Sequence, residues 1–405
     1  MRTFVRVINL LFVTSTFVWG RNDAPQFVNP NLRLAAMGDL SIVIEEIDNE
    51  INFHDFGESV AGVIEDNDNN SHIYMPVLYG YAVYGDMLPY QDWHGSAFSV
   101  GGIVKSGSSL AFGGAYSRSW IYSAYDFGSG LSEYNVSRNN DSLLVAYAVL
   151  PQLTAGVRGT YDNWDTGEYT LEPSVMVSAW HAWRLGLTYL LKMRSSATVH
   201  EFRLPVIYAN ETFKCGLMGK FQEGQYYDNE QSVYARVRYS IRIPRMTVNI
   251  ALSSNYATPY EMYDWGVKTG GGIALENEKL GVLGMQYSWT LEHMDIHDPV
   301  GGTVTSHMNS HEGKTHLGAE IRVLNMTAVR VGYISATYYS SSYIMPARRD
   351  FITAGIGVRL PSIGLSLDLA YNLKIWEYMY SDDILFSPIA REMDNIFGVS
   401  GRFTF

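Results

Sequence analysis

Along most of this chain apolar and polar residues alternate with a period of two, and in the clearest stretches the apolar face carries no charge. In 363–374, Leu365, Leu367, Leu369, Tyr371 and Leu373 oppose Asp368, Asn372 and Lys374. In 232–243, Val233, Ala235, Val237, Tyr239, Ile241 and Ile243 oppose Arg236, Arg238 and Arg242. In 314–324, Leu317, Ala319, Ile321 and Val323 oppose His316, Glu320 and Arg322, and in 153–162 Leu153, Ala155, Val157 and Tyr161 oppose Arg158. These are strands with one dry and one wet face. Their length, about ten residues, suits a tilted strand crossing a bilayer. A cation facing lipid at mid-depth costs about 2–4 kcal/mol, so a charge-free face is what a lipid-facing wall requires.

Eighteen such strands are predicted: 73–84, 95–105, 108–118, 141–150, 153–162, 170–180, 184–193, 200–209, 213–221, 232–243, 246–256, 267–276, 280–291, 314–324, 327–340, 350–360, 363–374 and 395–405. Their connections alternate in kind. Tight ones such as Pro151-Gln152, Pro244-Arg245 and Pro361-Ser362 interleave with long polar ones at Ser119–Asn140, Glu292–Gly313 and Ile375–Asp394. Short turns on one side and long loops on the other belong to an outer-membrane barrel.

The amino end supplies the export signal such a protein needs. Arg2 and Arg6 precede a short apolar core, Val7–Trp19, with small residues before Arg21, so residues 1–20 read as a signal peptide. Their removal takes away two positive charges and takes the net charge from −12 to −14, which disfavours nucleic acid as a partner. Polar residues interrupt every stretch that might otherwise form an apolar helix of membrane-spanning length. An exported chain of this kind can cross a membrane only as a closed barrel. The 29 Tyr suit two lipid–water interfaces. The predicted organisation is therefore a signal peptide (1–20), an acidic periplasmic or lumen-inserted segment (21–72) and an all-β, antiparallel transmembrane barrel with an even strand number (73–405). Its direct partner is the lipid bilayer.

Three stretches resemble known families. The carboxyl end alternates Phe397, Val399, Gly401, Phe403 and Phe405 against polar residues. It resembles the signal that outer-membrane barrels present to their assembly machinery, which is thereby an implied partner. In the amino-terminal segment, Ala36-Met37-Gly38 and Asp55-Phe56-Gly57 with Val60-Ala61-Gly62 resemble the plug-forming start of the FadL/PorV-like outer-membrane family, though Glu58-Ser59-Val60 departs from its pattern. Gly318, Ala319, Glu320, Arg330, Gly332 and Tyr333 fit that family's near-terminal hairpin. The resemblance implies a plugged barrel of fourteen strands against the eighteen counted. It also implies transport of hydrophobic or amphipathic small molecules, or a PorV-like role holding a secreted or surface protein; a general porin is a third reading. It further implies a lateral exit at an inward kink, for which Pro205, inside a predicted strand, is the candidate.

Arg236, Arg238, Arg242, Glu320, Arg330, Arg359, Asp368 and Lys374 are predicted to line the lumen, beside an apolar patch at Leu144, Ala146 and Ala148. They would hold a ligand's head group or pair with one another across strands. His293 with His297, and His307 with His311, have the i, i+4 spacing that would align two imidazoles on a helical loop. Without HExxH or paired cysteines this reads as a hydrated loop, and Asp66–Asn70 reads as a linker, because Val77 stands where a calcium loop needs Glu. No fingerprint of a nucleophile elbow, P-loop or dinucleotide fold occurs, so neither an enzyme nor a cofactor is predicted.

Overall fold

The computed structural model describes Arg33, Ala36, Met37, residues 40–44 and residues 72–404, less the segments 85–91, 107–108, 127–130, 164–166, 180–181, 195–197, 225–229, 259–263, 298–303, 325, 341–346 and 380–392. The signal peptide, Gly38, Asp55, Phe56, Gly57, Asp66–Asn70 and Phe405 lie outside the described residues.

The described chain forms one antiparallel sheet of eighteen strands. In chain order they are β1 (His72–Tyr84), β2 (Asp92–Ser106), β3 (Leu110–Asp126), β4 (Leu131–Leu150), β5 (Leu153–Asp162), β6 (Glu168–Ala179), β7 (Trp183–Arg194), β8 (Thr198–Ala209) and β9 (Phe213–Gly224). They continue as β10 (Gln231–Ile243), β11 (Met246–Thr258), β12 (Trp265–Asn277), β13 (Gly281–His297), β14 (Val304–Leu324), β15 (Thr327–Ser340), β16 (Ala347–Leu360), β17 (Leu365–Met379) and β18 (Met393–Thr404). The count is the eighteen read from alternation and not the fourteen of the family resemblance.

Each strand pairs with its neighbours in the chain, and β1 pairs with both β2 and β18, from His72 opposite Thr404 to Tyr84 opposite Met393. Every strand therefore has a partner on both sides. Tight turns set the register at one end. Between β10 and β11, Pro244-Arg245 closes a two-residue hairpin with Arg245 at φ 67°. Elsewhere Asn210 Oδ1 accepts from the Thr212 and Phe213 amides, and Asn277 Oδ1 from Lys279 and Leu280. At the other end the strands run on further than predicted. β3 and β4 occupy much of the expected loop 119–140, and β13 and β14 much of 292–313. The backbone ladder continues there after the apolar alternation has stopped, because hydrogen bonding between strands does not depend on which solvent faces the side chains.

The two faces of the sheet are sorted as a membrane wall would be. Leu143, Leu252, Leu283 and Ile321 are exposed, the first at 75% of its surface, and exposed Val, Ile, Leu and aromatic residues recur on the same face from β4 to β17. A water-soluble surface does not sustain an apolar patch of this extent. On the opposite face Glu172, Glu201, Asn249, Gln286, Ser288, His316, Glu320, Arg330 and Thr353 are buried, as are the apolar Leu144 and Ala146.

The described part of the amino-terminal segment lies on that buried face. Met37, Leu40, Val43 and Ile44 are buried with Ala251, Ala274 and Val282 of β11, β12 and β13. The seat depends on missing side chains. A Cβ at Gly318 would stand 1.9 Å from the Met37 carbonyl oxygen, and one at Gly355 2.5 Å from the Ala36 Cβ. Only glycine admits so close an approach.

Candidate functional site

Polar anchors hold this segment at both ends of its described stretch. Arg33 grips Glu320 with two bonds, Nε to Oε2 at 2.6 Å and Nη2 to Oε1 at 3.0 Å. Arg330 Nε donates to the same Oε2 at 2.9 Å, and its Nη1 pairs with Asp368. Glu320 and Arg330 are each 3% exposed, so the four groups form a closed ionic cluster on β14, β15 and β17 with one member from the segment. Thr353 Oγ1 donates to the Ala36 carbonyl at 3.0 Å, and Gln286 Oε1 accepts from the Ile42 amide at 3.0 Å. Arg236 Nη2 donates to the carbonyls of Ser41 at 2.8 Å and Ile42 at 3.1 Å.

Of the residues predicted to line a lumen, Glu320, Arg330, Asp368 and Arg236 thus meet around the segment. Arg238 lies on the same face, 3.8 Å from Glu276. Arg242 and Arg359 differ from expectation. Arg242 is exposed and pairs with the exposed Glu211 at 3.0 Å, and Arg359 is exposed beside the β16–β17 turn, its amide bonded to the Met326 carbonyl. Both keep the expected face but sit at the turn end of their strands, where the wall stops and bulk solvent begins. Lys374 is paired through its backbone with Phe351, and its side chain lies outside the described residues. Phe397 pairs with Gly80 and Tyr371, and Phe403 with Ile73 and Leu365, so both join the strand that links the last hairpin to β1.

Pro205 introduces no register shift. Leu185 opposes Val206 on one side of it and Thr188 opposes Arg203 on the other, so the numbering runs straight through. Its ring fits because Gly186 faces it; a Cβ there would lie 2.6 Å from Pro205 Cγ.

Further ion pairs occupy the buried face on the other half of the sheet. Arg158 pairs with Glu172, and Glu201 is surrounded by Arg203 at 2.5 Å, Lys192 at 3.6 Å and Lys220 at 3.8 Å. Beside Ser41 and Ile42, and lined by residues of β10 to β17, lies a cavity of ≈ 370 Å³. Its lining includes four cations, Arg236, Lys268, Lys314 and Arg349, against one carboxylate, Glu312, which Lys314 approaches to 2.7 Å. Ile42, Ile334 and Phe351 add an apolar strip. Lys268, Lys314 and Arg349 were not singled out from sequence, although Lys314 shares the parity of His316 and Glu320. Arg33 carried no signal, because nothing near it in the chain alternates.

The histidines form a cluster of a different kind from the one predicted. Residues 293 and 307 lie on strands, not on a helix, and meet across the β13–β14 hairpin. Asp295 Oδ1 lies 3.0 Å from His293 Nε2 and 2.5 Å from His307 Nδ1. Asn309, then Asp295, raises the pKa of His293, while His307, then His293, lowers that of Asp295, each by hydrogen bonding. His311 packs instead near Trp289 and Tyr339, and the His297 side chain lies outside the described residues.

No known family model matches the chain, and no curated protein matches it in sequence. Solved structures do match its fold. It is similar to OccK7 (OpdD) of Pseudomonas aeruginosa, with a TM-score of 0.52 at 8% identity over 83% of this chain and 99% of that one. It is similar to OccAB3 of Acinetobacter baumannii, with a TM-score of 0.50 at 10% identity over 84% of this chain and 100% of that one. It is also similar to a BenF-like porin of Pseudomonas fluorescens Pf-5, with a TM-score of 0.50 at 10% identity over 83% and 98%. At these identities the likeness is one of fold, and the fold is a β-barrel.

The ionic cluster yields a stability prediction. Glu320→Ala leaves Arg33 and the buried Arg330 short of a counter-charge, so the unfolding free energy of the protein in lipid vesicles should fall by about 3–5 kcal/mol. A urea titration followed by tryptophan fluorescence measures it, and an unchanged midpoint would refute the cluster's role.

Proposed function

We propose that the chain is a closed barrel of the bacterial outer membrane, partly filled by its amino-terminal segment, and that it is a non-enzymatic channel for small organic anions. The observation that carries this reading is the cavity beside Ser41 and Ile42, whose described lining holds four cations and one carboxylate with an apolar strip alongside. Its volume, ≈ 370 Å³, suits a small ligand. A carboxylate or phosphate would be drawn by the cations, and a body of a few carbons would lie against Ile334 and Phe351. The exposed apolar face supports the membrane setting, and the fold neighbours include a protein named as a porin.

This reading joins two of those drawn from sequence. It keeps the amphipathic cargo that the FadL/PorV-like resemblance implies and places it in a channel with a charged wall. A purely hydrophobic cargo fits less well, since moving it along a charged wall would strip water from the cations with no polar contact in return. The PorV-like scaffold role has no specific observation behind it among the described residues. Pro205 is also weaker as a lateral exit, because the strand register passes it unchanged.

Ion selectivity tests the channel. In a planar bilayer under a KCl gradient, the reversal potential should lie on the chloride side, and hexanoate should reduce the chloride current. Lys268→Glu with Arg349→Glu should move the reversal potential toward potassium; a wild-type channel that is cation-selective would sink the proposal. The membrane setting is tested separately. Leu283→Arg, on the exposed face, should destabilise the protein in lipid vesicles by about 2–4 kcal/mol. A cost below about 0.5 kcal/mol, as on a watery surface, would remove the wall from the hydrocarbon.

A further inference from the structure

The outward face of β13 changes character along its length. Met285 and Tyr287 are exposed apolar residues, Trp289 follows, and then His293 and Asp295 extend past them toward the hairpin end. His307 on β14 stands opposite Asp295. One nitrogen from each of the two imidazoles and one oxygen of the carboxylate all lie within 4.8 Å of one another.

The hydrogen bonding around His293 sets how its ring faces Asp295. Its Nδ1 lies 2.8 Å from Asn309 Oδ1, and an amide oxygen can only accept, so Nδ1 carries the hydrogen. In the neutral ring Nε2 then presents a lone pair to Asp295 Oδ1 at 3.0 Å, where two electron-rich atoms face each other. A proton on Nε2, donated to the carboxylate, satisfies this contact, and a metal ion held by both atoms would take that proton's place. Asn309 in this geometry has the part of an outer partner that fixes a ligating imidazole's tautomer. Trp265 stacks on His293 with ring centroids 5.3 Å apart, which holds the ring in place.

We propose that His293, Asp295 and His307 form a binding site for a divalent transition-metal ion of the zinc class on the outer face of the β13–β14 hairpin. Two imidazoles and one carboxylate are the borderline donor set such ions take, and calcium or magnesium would require more oxygens. His307 is 62% exposed, so the ion could enter from solvent and keep a water as fourth ligand. Asp264, whose Oδ2 accepts from the Asp295 amide at 2.5 Å, adds negative charge beside the site. Bound there, the ion would tie the two strands together beyond the apolar band, near the ends of β13 and β14 that face each other.

The test uses the full-length protein in detergent micelles with any affinity tag removed. Zinc titration by calorimetry should show one ion per chain, and Co²⁺ should give the visible absorption of a four-coordinate site. His293→Ala with His307→Ala should abolish both signals, and Asn309→Ala should weaken zinc affinity by about 10–100-fold. Heat-modifiable migration on a gel confirms that each variant remains folded. Absence of stoichiometric zinc in the wild type, or its persistence in the double variant, overturns the proposal.

Discussion

The structure depends on each strand's backbone finding a partner on both sides. A β-strand in hydrocarbon has no water to bond its amides and carbonyls, so an open edge there is costly. Pairing of β1 with β18 supplies the missing side, and it does so with the carboxyl-terminal strand, which must be made before the pairing can exist. Once the order of strands returns to its start, the two faces of the sheet acquire different surroundings. A period-two sequence then decides residue by residue which surroundings each side chain meets.

Enclosure makes charge an interior problem. Glu320 and Arg330 could not remain buried as single ions, and the structure answers with a cluster that spans three strands and the amino-terminal segment. That cluster couples the segment's position to the wall: Arg33 can neutralise Glu320 only while Met37 lies over Gly318 and Ala36 over Gly355. The glycines and the ion pairs are therefore two halves of one fit, the first giving room and the second giving attraction. Neither would hold the segment alone, since an arginine at the end of a flexible chain gains little from an ion pair unless its backbone is already placed.

Much of this could be read from the residues. Strand positions and faces were legible because lipid on one side and polar contacts on the other impose the same alternation that reveals them, as in Val233 to Ile243. The outer ends of β3, β4, β13 and β14 were not, since both faces there are polar and alternation vanishes while the backbone ladder persists. Arg242 and Arg359 were given the correct face and the wrong depth, because parity says nothing about how far along the wall a residue lies. The partnership of Arg33 with Glu320 spans 287 positions and leaves no local trace. His293 and His307 were each noticed, but with the wrong partners, because a helix was assumed where cross-strand neighbours govern.

Cations and carboxylates meet on the buried face in two settings, beside one another along the strands and around the cavity next to the amino-terminal segment. Glu172, Glu201, Glu276, Glu320 and Asp368 each stand near an arginine or lysine, and around Glu201 the cations outnumber the carboxylate. Around the cavity, carboxylates thin out to Glu312 while cations do not, and Arg236 turns to the carbonyl oxygens of Ser41 and Ile42. The cations of the cavity lining stand beside the amino-terminal segment, so on the proposed reading charge and size would act on a guest at one place.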